Sequence, residues 1–139
     1  MMQDLPYVDK VPKSESDWFS VLVSLARYLR SPEGCPWDRE RTPLEFAGFV
    51  RDEAVEYIEA VQAGDAEDIE EEFGDCLFTL LASMAAAEEL GLMKLDRALE
   101  AAHEKMVRRH AHGFADEKAE TPEDAVLAWE RIKAKEKRR

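Results

Sequence analysis

Two pairs of acidic residues are spaced so that each pair can project from one side of a helix. Glu53 and Glu56 form one pair, and Glu72 and Asp75 form the other. Residues three positions apart are neighbours on a helical surface, so each pair offers two carboxylates in one direction. Four carboxylates at the edge of a core repel one another unless a cation compensates them. Mg²⁺, which prefers oxygen ligands, is the common choice, and the spacing therefore predicts a magnesium site.

The segment that follows Asp75 is predicted to be buried. Residues 76–87 contain no charged side chain, and a helix that is apolar on every side is normally a core helix. Asp75 therefore stands at the entrance to a buried stretch. On the preceding helix, Glu53 flanks an apolar stripe that includes Phe46 and Tyr57. If the two helices pack antiparallel, their carboxylate pairs can face each other.

Acidic residues dominate this region and the chain as a whole. Residues 52–93 contain 13 acids and neither lysine nor arginine, and the net charge of the chain is -12. This charge disfavours binding to nucleic acids and to anionic lipids. No apolar run reaches the roughly 18 residues that a membrane span needs, and two distant cysteines favour a reducing compartment. We therefore expect a cytoplasmic protein with neither nucleic-acid nor membrane partners.

Positive charge appears later in the chain, again at helical spacing. Lys105 and Arg109 are four residues apart, as are Trp129 and Lys133. Each pair shares one face of a helix. One interpretation is a phosphate clamp with an aromatic surface for a base or sugar. The other is a basic surface with one core tryptophan.

The elements that carry these residues are predicted to be helices throughout. The expected class is all-α, an antiparallel bundle of about five helices with short connections. Residues 1–13 are expected to form a flexible tail, residues 14–139 a single domain, and residues 31–38, with two prolines, a loop. Apolar periodicity and capping residues predict the following helices: Ser14 or Ser16 to about Arg30, Thr42 to Ala63, Asp65 to about residue 91, Asp96 to about His110, and a last one that opens at Thr121-Pro122.

Five short motifs, in order along about residues 25–137, resemble those of the MazG-type nucleoside triphosphate pyrophosphohydrolases, which belong to the all-α NTP pyrophosphatase superfamily. The motifs are Gly34-Cys-Pro-Trp-Asp38, Asp52-Glu53-x-x-Glu56, Glu72-Phe-Gly-Asp75, Glu104-Lys-x-x-Arg-Arg-His110 and Trp129-Glu-x-Ile-Lys133. The resemblance implies Mg²⁺-dependent hydrolysis of NTPs or dNTPs to monophosphate and pyrophosphate, with Mn²⁺ as a substitute metal. It also implies nucleotide-pool housecleaning and a bundle completed in a homodimer or higher homo-oligomer.

The resemblance also implies a role for individual residues. The metal ligands would be Glu53, Glu56, Glu72 and Asp75. The triphosphate would be bound by Lys105, Arg109 and Lys133. Trp129 would contact the nucleotide, and Trp37 would border the nucleoside pocket. Either Asp52 or Glu56 would orient or deprotonate the attacking water. Asp52 stands where the family usually has glutamate. Some members also carry lysines near the acidic motifs, so part of the phosphate clamp would be missing here or supplied by another subunit.

A second hypothesis is a non-enzymatic helical interaction module. The apolar residues 76–87 would then form a dimer core, and the acids would be a solvated surface. This hypothesis predicts no effect of Mg²⁺ on thermal stability, whereas the enzyme hypothesis predicts stabilisation by metal plus nucleotide.

Overall fold

The structure, a computed structural model, describes residues 2–113 and 119–137, and within these ranges it contains helices and no strand. The all-α prediction is therefore confirmed. None of the described helices is both long and apolar enough to cross a membrane. The α-helices are α1 (Glu15–Leu29), α2 (Pro36–Glu40), α3 (Pro43–Ala63), α4 (Ala66–Glu89), α5 (Leu95–Arg109) and α6 (Pro122–Lys137), with 3-10 turns over Met2–Asp4 and Ala111–Gly113.

The helices form two compact units. One contains the described residues up to Met93, with α1 to α4, and the other contains those from Lys94 onward, with α5 and α6. The expected division into a tail over residues 1–13 and one domain over residues 14–139 stays a prediction.

Capping side chains begin most of the helices at the predicted residues. Ser14 accepts a hydrogen bond from the Asp17 amide at the start of α1, and Thr42 forms a complete capping box with Glu45 at the start of α3. These side chains satisfy amide groups that have no partner within the helix. Gly64 ends α3 in the left-handed conformation, with φ of 83°, which glycine adopts without steric cost.

Two further predicted caps are also in place. Asp65 accepts from the amide of Asp68 at the start of α4. Thr121 accepts from the amide of Asp124 at the start of α6. Both hydrogen bonds join residues three positions apart, so they form from local sequence alone.

Two predicted element boundaries are wrong. The fourth predicted helix, α5, begins after Lys94 and not after Asp96, and Lys94 makes no side-chain capping bond. Asp96 lies in the first turn of α5, where its negative charge stabilises the helix by interacting with the positive end of the helix dipole. The predicted loop over residues 31–38 ends in α2, which begins at Pro36 because proline suits the first helical position.

The antiparallel packing of α3 against α4 forms the centre of the first unit. Phe46 of α3 packs in the core with Ala82 and Ala86 of α4. The hydroxyl of Ser83 donates to the carbonyl of Pro43 at 3.0 Å, which fixes the C-terminal half of α4 beside the start of α3. The small alanine side chains let the helix axes approach closely. The buried part of α4 is its second half, from Leu81 onward, so the prediction of a fully buried segment over residues 76–87 is wrong in its first half.

Two arginines at the C-terminal end of α1 hold that helix against the C-terminal end of α4. Arg27 donates to both carboxylate oxygens of Glu88 at 2.9 and 3.0 Å. Arg30 pairs with Glu89 and also donates to the carbonyl of Asp38. Arg30 therefore connects α4 to α2, because a planar guanidinium can serve several acceptors at once.

The loop between α1 and α2 passes very close to the end of α1 at Gly34. A Cβ atom built on Gly34 would lie 2.3 Å from the carbonyl oxygen of Tyr28 and 2.4 Å from that of Leu29. Only glycine fits between these backbone atoms without a shift of the chain. The close approach presents Trp37 and α2 beside the start of α3.

Candidate active site

Three glutamates of the predicted metal site lie together on α3 and α4. Glu53, Glu56 and Glu72 each place one carboxylate oxygen so that all three oxygens lie within 4.8 Å of one another. Glu53 and Glu72 are half-buried, and Glu56 is exposed. We call these three residues the acidic trio. Antiparallel packing brings them together because it sets the first half of α4 beside the middle of α3.

The pKa values of two members of the trio are raised. Burial is the largest cause of the raised pKa of Glu53. A hydrogen bond with Glu56 and the negative charge of Glu56 raise this pKa further. The pKa of Glu72 is raised by burial and by the charges of Glu56 and Asp75. Removal from water and like-charge repulsion both disfavour an ionised carboxyl. The trio therefore favours protons or another cation between its carboxylates.

Two carboxylate oxygens of the acidic trio are buried without a hydrogen-bond donor or a cation beside them in the described part of the chain. Glu53 Oε2 and Glu72 Oε2 are buried, and neither has a hydrogen-bond partner among the described residues. A buried acceptor without a partner is costly. A donor set made only of carboxylate oxygens suits a hard divalent cation such as Mg²⁺. The residues present therefore fit the metal that the sequence predicts.

Asp75, the fourth predicted ligand, lies outside the three-residue group but close to it. It is exposed, and its negative charge raises the pKa of both Glu53 and Glu72. The backbone carbonyl of Asp75 accepts a hydrogen bond from the hydroxyl of Thr79 at 2.7 Å. The metal role of Asp75 stays a prediction.

Asp52, one of the two candidates for activating water, lies on the exposed surface of α3. Its carboxylate is 4.0 Å from the guanidinium of Arg51, and both side chains are largely in water. Asp52 and Glu56 are one helical turn apart and therefore neighbours. The choice between them stays open.

Trp37 belongs to an aromatic cluster at the start of α3. Its ring stacks on Phe49, with centroids 5.9 Å apart, and meets the edge of Phe46 at 6.0 Å. The Arg41 guanidinium carbon lies 5.0 Å from the centroid of the Trp37 ring, a cation–π distance. Trp37 is half-exposed. Phe49 precedes Glu53 by one turn of α3, so the aromatic cluster and the acidic trio lie along one side of that helix.

The four predicted nucleotide contacts of the second unit differ in their surroundings. Lys105 is exposed and Lys133 is half-buried. The guanidinium of Arg109 lies over the Trp129 ring, 5.3 Å from its centroid, and its Nη2 donates to Glu136 at 2.8 Å. The structure therefore joins Arg109 and Trp129 directly.

Some residues of these surroundings were not predicted from sequence. Glu136 pairs with both Arg108 and Arg109, and Phe49 covers Trp37. The available signal was periodicity: Glu136 follows Trp129 by seven residues, so the two share a face of α6. Its charge does not distinguish Glu136 from the other acidic residues of the chain.

Comparison with known proteins identifies the family of this chain. The sequence model of the MazG nucleotide pyrophosphohydrolase domain matches residues 41–114. The fold is similar to the crystal structure of a mazG-related protein from Thermotoga maritima, with a TM-score of 0.67 and 29% identity over 79% of this chain and 93% of that one.

Three curated relatives match most of this chain over less than half of their own length. A nucleoside triphosphate pyrophosphohydrolase of Escherichia coli (strain K12) is 36% identical over 84% of this chain and 44% of that protein. The nucleoside triphosphate pyrophosphohydrolase/pyrophosphatase MazG of Thermotoga maritima is 37% identical over 86% and 45%. The uncharacterized protein YabN of Bacillus subtilis is 38% identical over 86% and 24%. The family model covers more than half of the chain, and the chain therefore belongs to the MazG nucleotide pyrophosphohydrolase domain family.

Proposed function

We propose that this chain hydrolyses nucleoside triphosphates, NTPs or dNTPs, to the monophosphate and pyrophosphate with the help of Mg²⁺. The proposed role of this hydrolysis in the cell is housecleaning of the nucleotide pool. The proposal is supported by the names of the curated relatives. Within the chain itself, the observation that carries it is the acidic trio with its two buried, unpartnered oxygens.

Residues of α3 and α4 would hold the metal. Glu53, Glu56 and Glu72 provide the ligand oxygens, and we retain Asp75 as the fourth ligand because its charge already acts on Glu53 and Glu72. When bound, Mg²⁺ supplies positive charge against the phosphate oxygens and lowers the pKa of water. Mn²⁺ is a suitable substitute because it also prefers oxygen ligands.

An exposed carboxylate of α3 would orient the water that attacks the α-phosphorus. Glu56 is the exposed member of the acidic trio, and Asp52 is its neighbour one turn earlier. Either carboxylate can accept a proton from water, which helps that water attack while pyrophosphate leaves. In-line positioning and charge stabilisation supply most of the rate in such reactions.

The substrate contacts are assigned to cationic and aromatic side chains. Lys105, Arg109 and Lys133 provide positive charge for the triphosphate, because ammonium and guanidinium groups bind phosphate oxygens strongly. Trp129 and Trp37 provide aromatic surface for the nucleoside. Neither lysine nor arginine occurs within residues 52–93, so the acidic trio has no cation from its own segment to bind phosphate.

We also propose that the chain forms a homodimer or a higher homo-oligomer. Large apolar side chains on both helices of the central pair are about half-exposed, as at Ile58 of α3 and Phe73 and Leu80 of α4. Apolar surface that is grouped on packed helices favours association. This surface would be covered by a second copy of the chain.

The first experiment is phosphorus NMR of the purified protein with Mg²⁺ and a panel of NTPs and dNTPs. Monophosphate and pyrophosphate that appear together support the proposal. Diphosphate and orthophosphate would identify a different bond as the one cleaved. If no nucleotide is turned over with any divalent metal, the proposal is wrong and the interaction module becomes the better hypothesis.

A further inference from the structure

One carboxylate of α6 holds two neighbouring arginines of α5. Glu136 Oε1 accepts from Arg108 Nε at 2.7 Å, and Glu136 Oε2 accepts from Arg109 Nη2 at 2.8 Å. The two oxygens therefore serve different guanidinium groups. Charge-assisted bonds of this kind are stronger and more directional than neutral hydrogen bonds.

Arg109 is the more enclosed of the two arginines. Its side chain is 16% exposed, against 45% for Arg108. The Arg109 guanidinium lies over Trp129, and its Nε is buried without a partner in the described part of the chain. Glu136 thus provides the charged hydrogen bond that keeps this guanidinium against the indole ring, and without it the group would gain by turning out towards water.

The ionised state of Glu136 is secured by the same contacts. Hydrogen bonds from Arg109 and Arg108 lower the pKa of Glu136 to about 2, so the carboxylate is charged at every pH at which the protein would work. Lys133, Lys135 and Lys137 lie on the same helix. Glu136 therefore places a negative charge against Arg108 and Arg109 where α6 meets α5.

A held arginine binds a polyphosphate better than a free one. Arginine loses rotamer freedom when it binds, and a side chain that is already ordered loses less of it. Trp129 and Glu136 share one face of α6, so both contact Arg109. The indole ring packs against the guanidinium, and the carboxylate accepts a hydrogen bond from its Nη2. Nη1 of Arg109 makes no bond to Glu136, and its N–H groups can serve a phosphate.

We propose that Glu136 is a positioning residue that fixes Arg109 on the face of Trp129 for binding of the substrate triphosphate. This inference rests on the proposed function, which assigns Arg109 to the triphosphate. Glu136 itself does not touch the substrate. The opposite role, in which Glu136 competes with phosphate for the arginines, predicts the opposite change in affinity.

The test compares Glu136→Gln with Glu123→Gln, which removes the same charge from an exposed residue in the first turn of α6, outside the motifs named above. The affinity for Mg²⁺-bound α,β-methylene-ATP and the steady-state constants for a hydrolysed NTP are measured for both. For Glu136→Gln we expect KM and Kd to rise about fivefold to tenfold with kcat within about twofold of the parent protein. Glu123→Gln should match the parent protein in all three constants.

A second variant, Glu136→Asp, tests the geometry with the charge kept. Its carboxylate is one methylene shorter and cannot span both arginines as well, so KM should rise by less than in Glu136→Gln. This variant also decides the question if circular dichroism shows that Glu136→Gln does not fold.

Three results would overturn the inference: an unchanged KM and Kd in Glu136→Gln, a tighter Kd, or an equal change in Glu123→Gln. If the parent protein binds the analogue but hydrolyses no NTP, the proposed function fails and the Kd values still decide the role of Glu136. If the parent protein does neither, both ideas are wrong.

Discussion

Glu53 of α3 and Glu72 of α4 hold carboxylate oxygens within 4.8 Å of each other although both groups carry the same charge. Each also keeps one buried oxygen without a hydrogen-bond partner among the described residues. Two ionised carboxylates do not approach in this way without cost. The arrangement is therefore best satisfied by a bound cation.

Replacement of Glu53 by glutamine should abolish metal binding while the fold is kept. The amide has the same shape but lacks the charge, so we expect activity to fall by about a hundredfold or more, with Mg²⁺ no longer raising Tm. The matched control is Glu70→Gln, an exposed residue of α4 on the other side of the helix from Glu72. Titration calorimetry and thermal melts provide the measurement, and near-normal turnover in Glu53→Gln would refute the metal assignment.

The contribution of Glu53 and Glu72 to the stability of the metal-free protein should be lost as the pH rises. Because the pKa values of Glu53 and Glu72 are raised above 4.5 in the folded state, their protonation stabilises the fold fully below pH 4.5, and this contribution is lost as the pH rises through the raised values. We expect the Tm of the parent protein in EDTA to fall relative to that of Glu53→Gln over this range. Saturating Mg²⁺ should remove the fall. A difference in Tm that does not change with pH would contradict the raised pKa values.

The pairing of Glu136 with Arg108 and Arg109 should have the opposite pH dependence. Its folded pKa of about 2 lies below the ordinary 4.5, so its contribution is present above pH 4.5 and is lost as the pH falls towards 2. Thermal melts of the parent protein and Glu136→Gln should therefore differ near neutral pH and converge in acid. A constant difference would show that Glu136 stabilises the second unit through packing alone.

Gly34→Ala should destabilise the first unit, because the new Cβ would lie 2.3 Å from the carbonyl oxygen of Tyr28. We expect a loss of about 1–3 kcal/mol in the free energy of unfolding, measured by urea denaturation. Gly48→Ala is the control, since a Cβ at Gly48 in α3 meets nothing within 4 Å. Alanine favours helices more than glycine does, so this change should be neutral or stabilising by up to about 1 kcal/mol. Equal effects of the two variants would exclude the close approach at Gly34.

Light scattering after size-exclusion chromatography should give a mass of at least twice the 15.9 kDa of one chain. Leu80→Asp should shift this mass towards one chain, because it puts a charge into the half-exposed apolar surface of α4. Leu92→Asp, at an exposed residue in the turn after α4, is the control. A parent protein with the mass of a single chain would refute the proposed oligomer.

The sequence determined the features that depend on neighbours along the chain. Ser14, Thr42, Asp65 and Thr121 cap helices through hydrogen bonds to residues three positions later, and Gly64 ends a helix through its own backbone. The pairing of carboxylates at a spacing of three is equally local. For this reason the helices and the carboxylate pair on each helix were predictable without a structure.

Only the tertiary structure decided which of these groups meet. The start of α5 has no capping side chain to mark it, so local chemistry misplaced it at Asp96. The acidic trio depends on the alignment of α4 along α3, which the hydrogen bond from Ser83 to Pro43 fixes. The ion pairs of Glu136 with two arginines depend in the same way on the alignment of α5 with α6. Such contacts join residues distant in sequence. Their formation is set by the packing of whole helices, which periodicity within one helix does not encode.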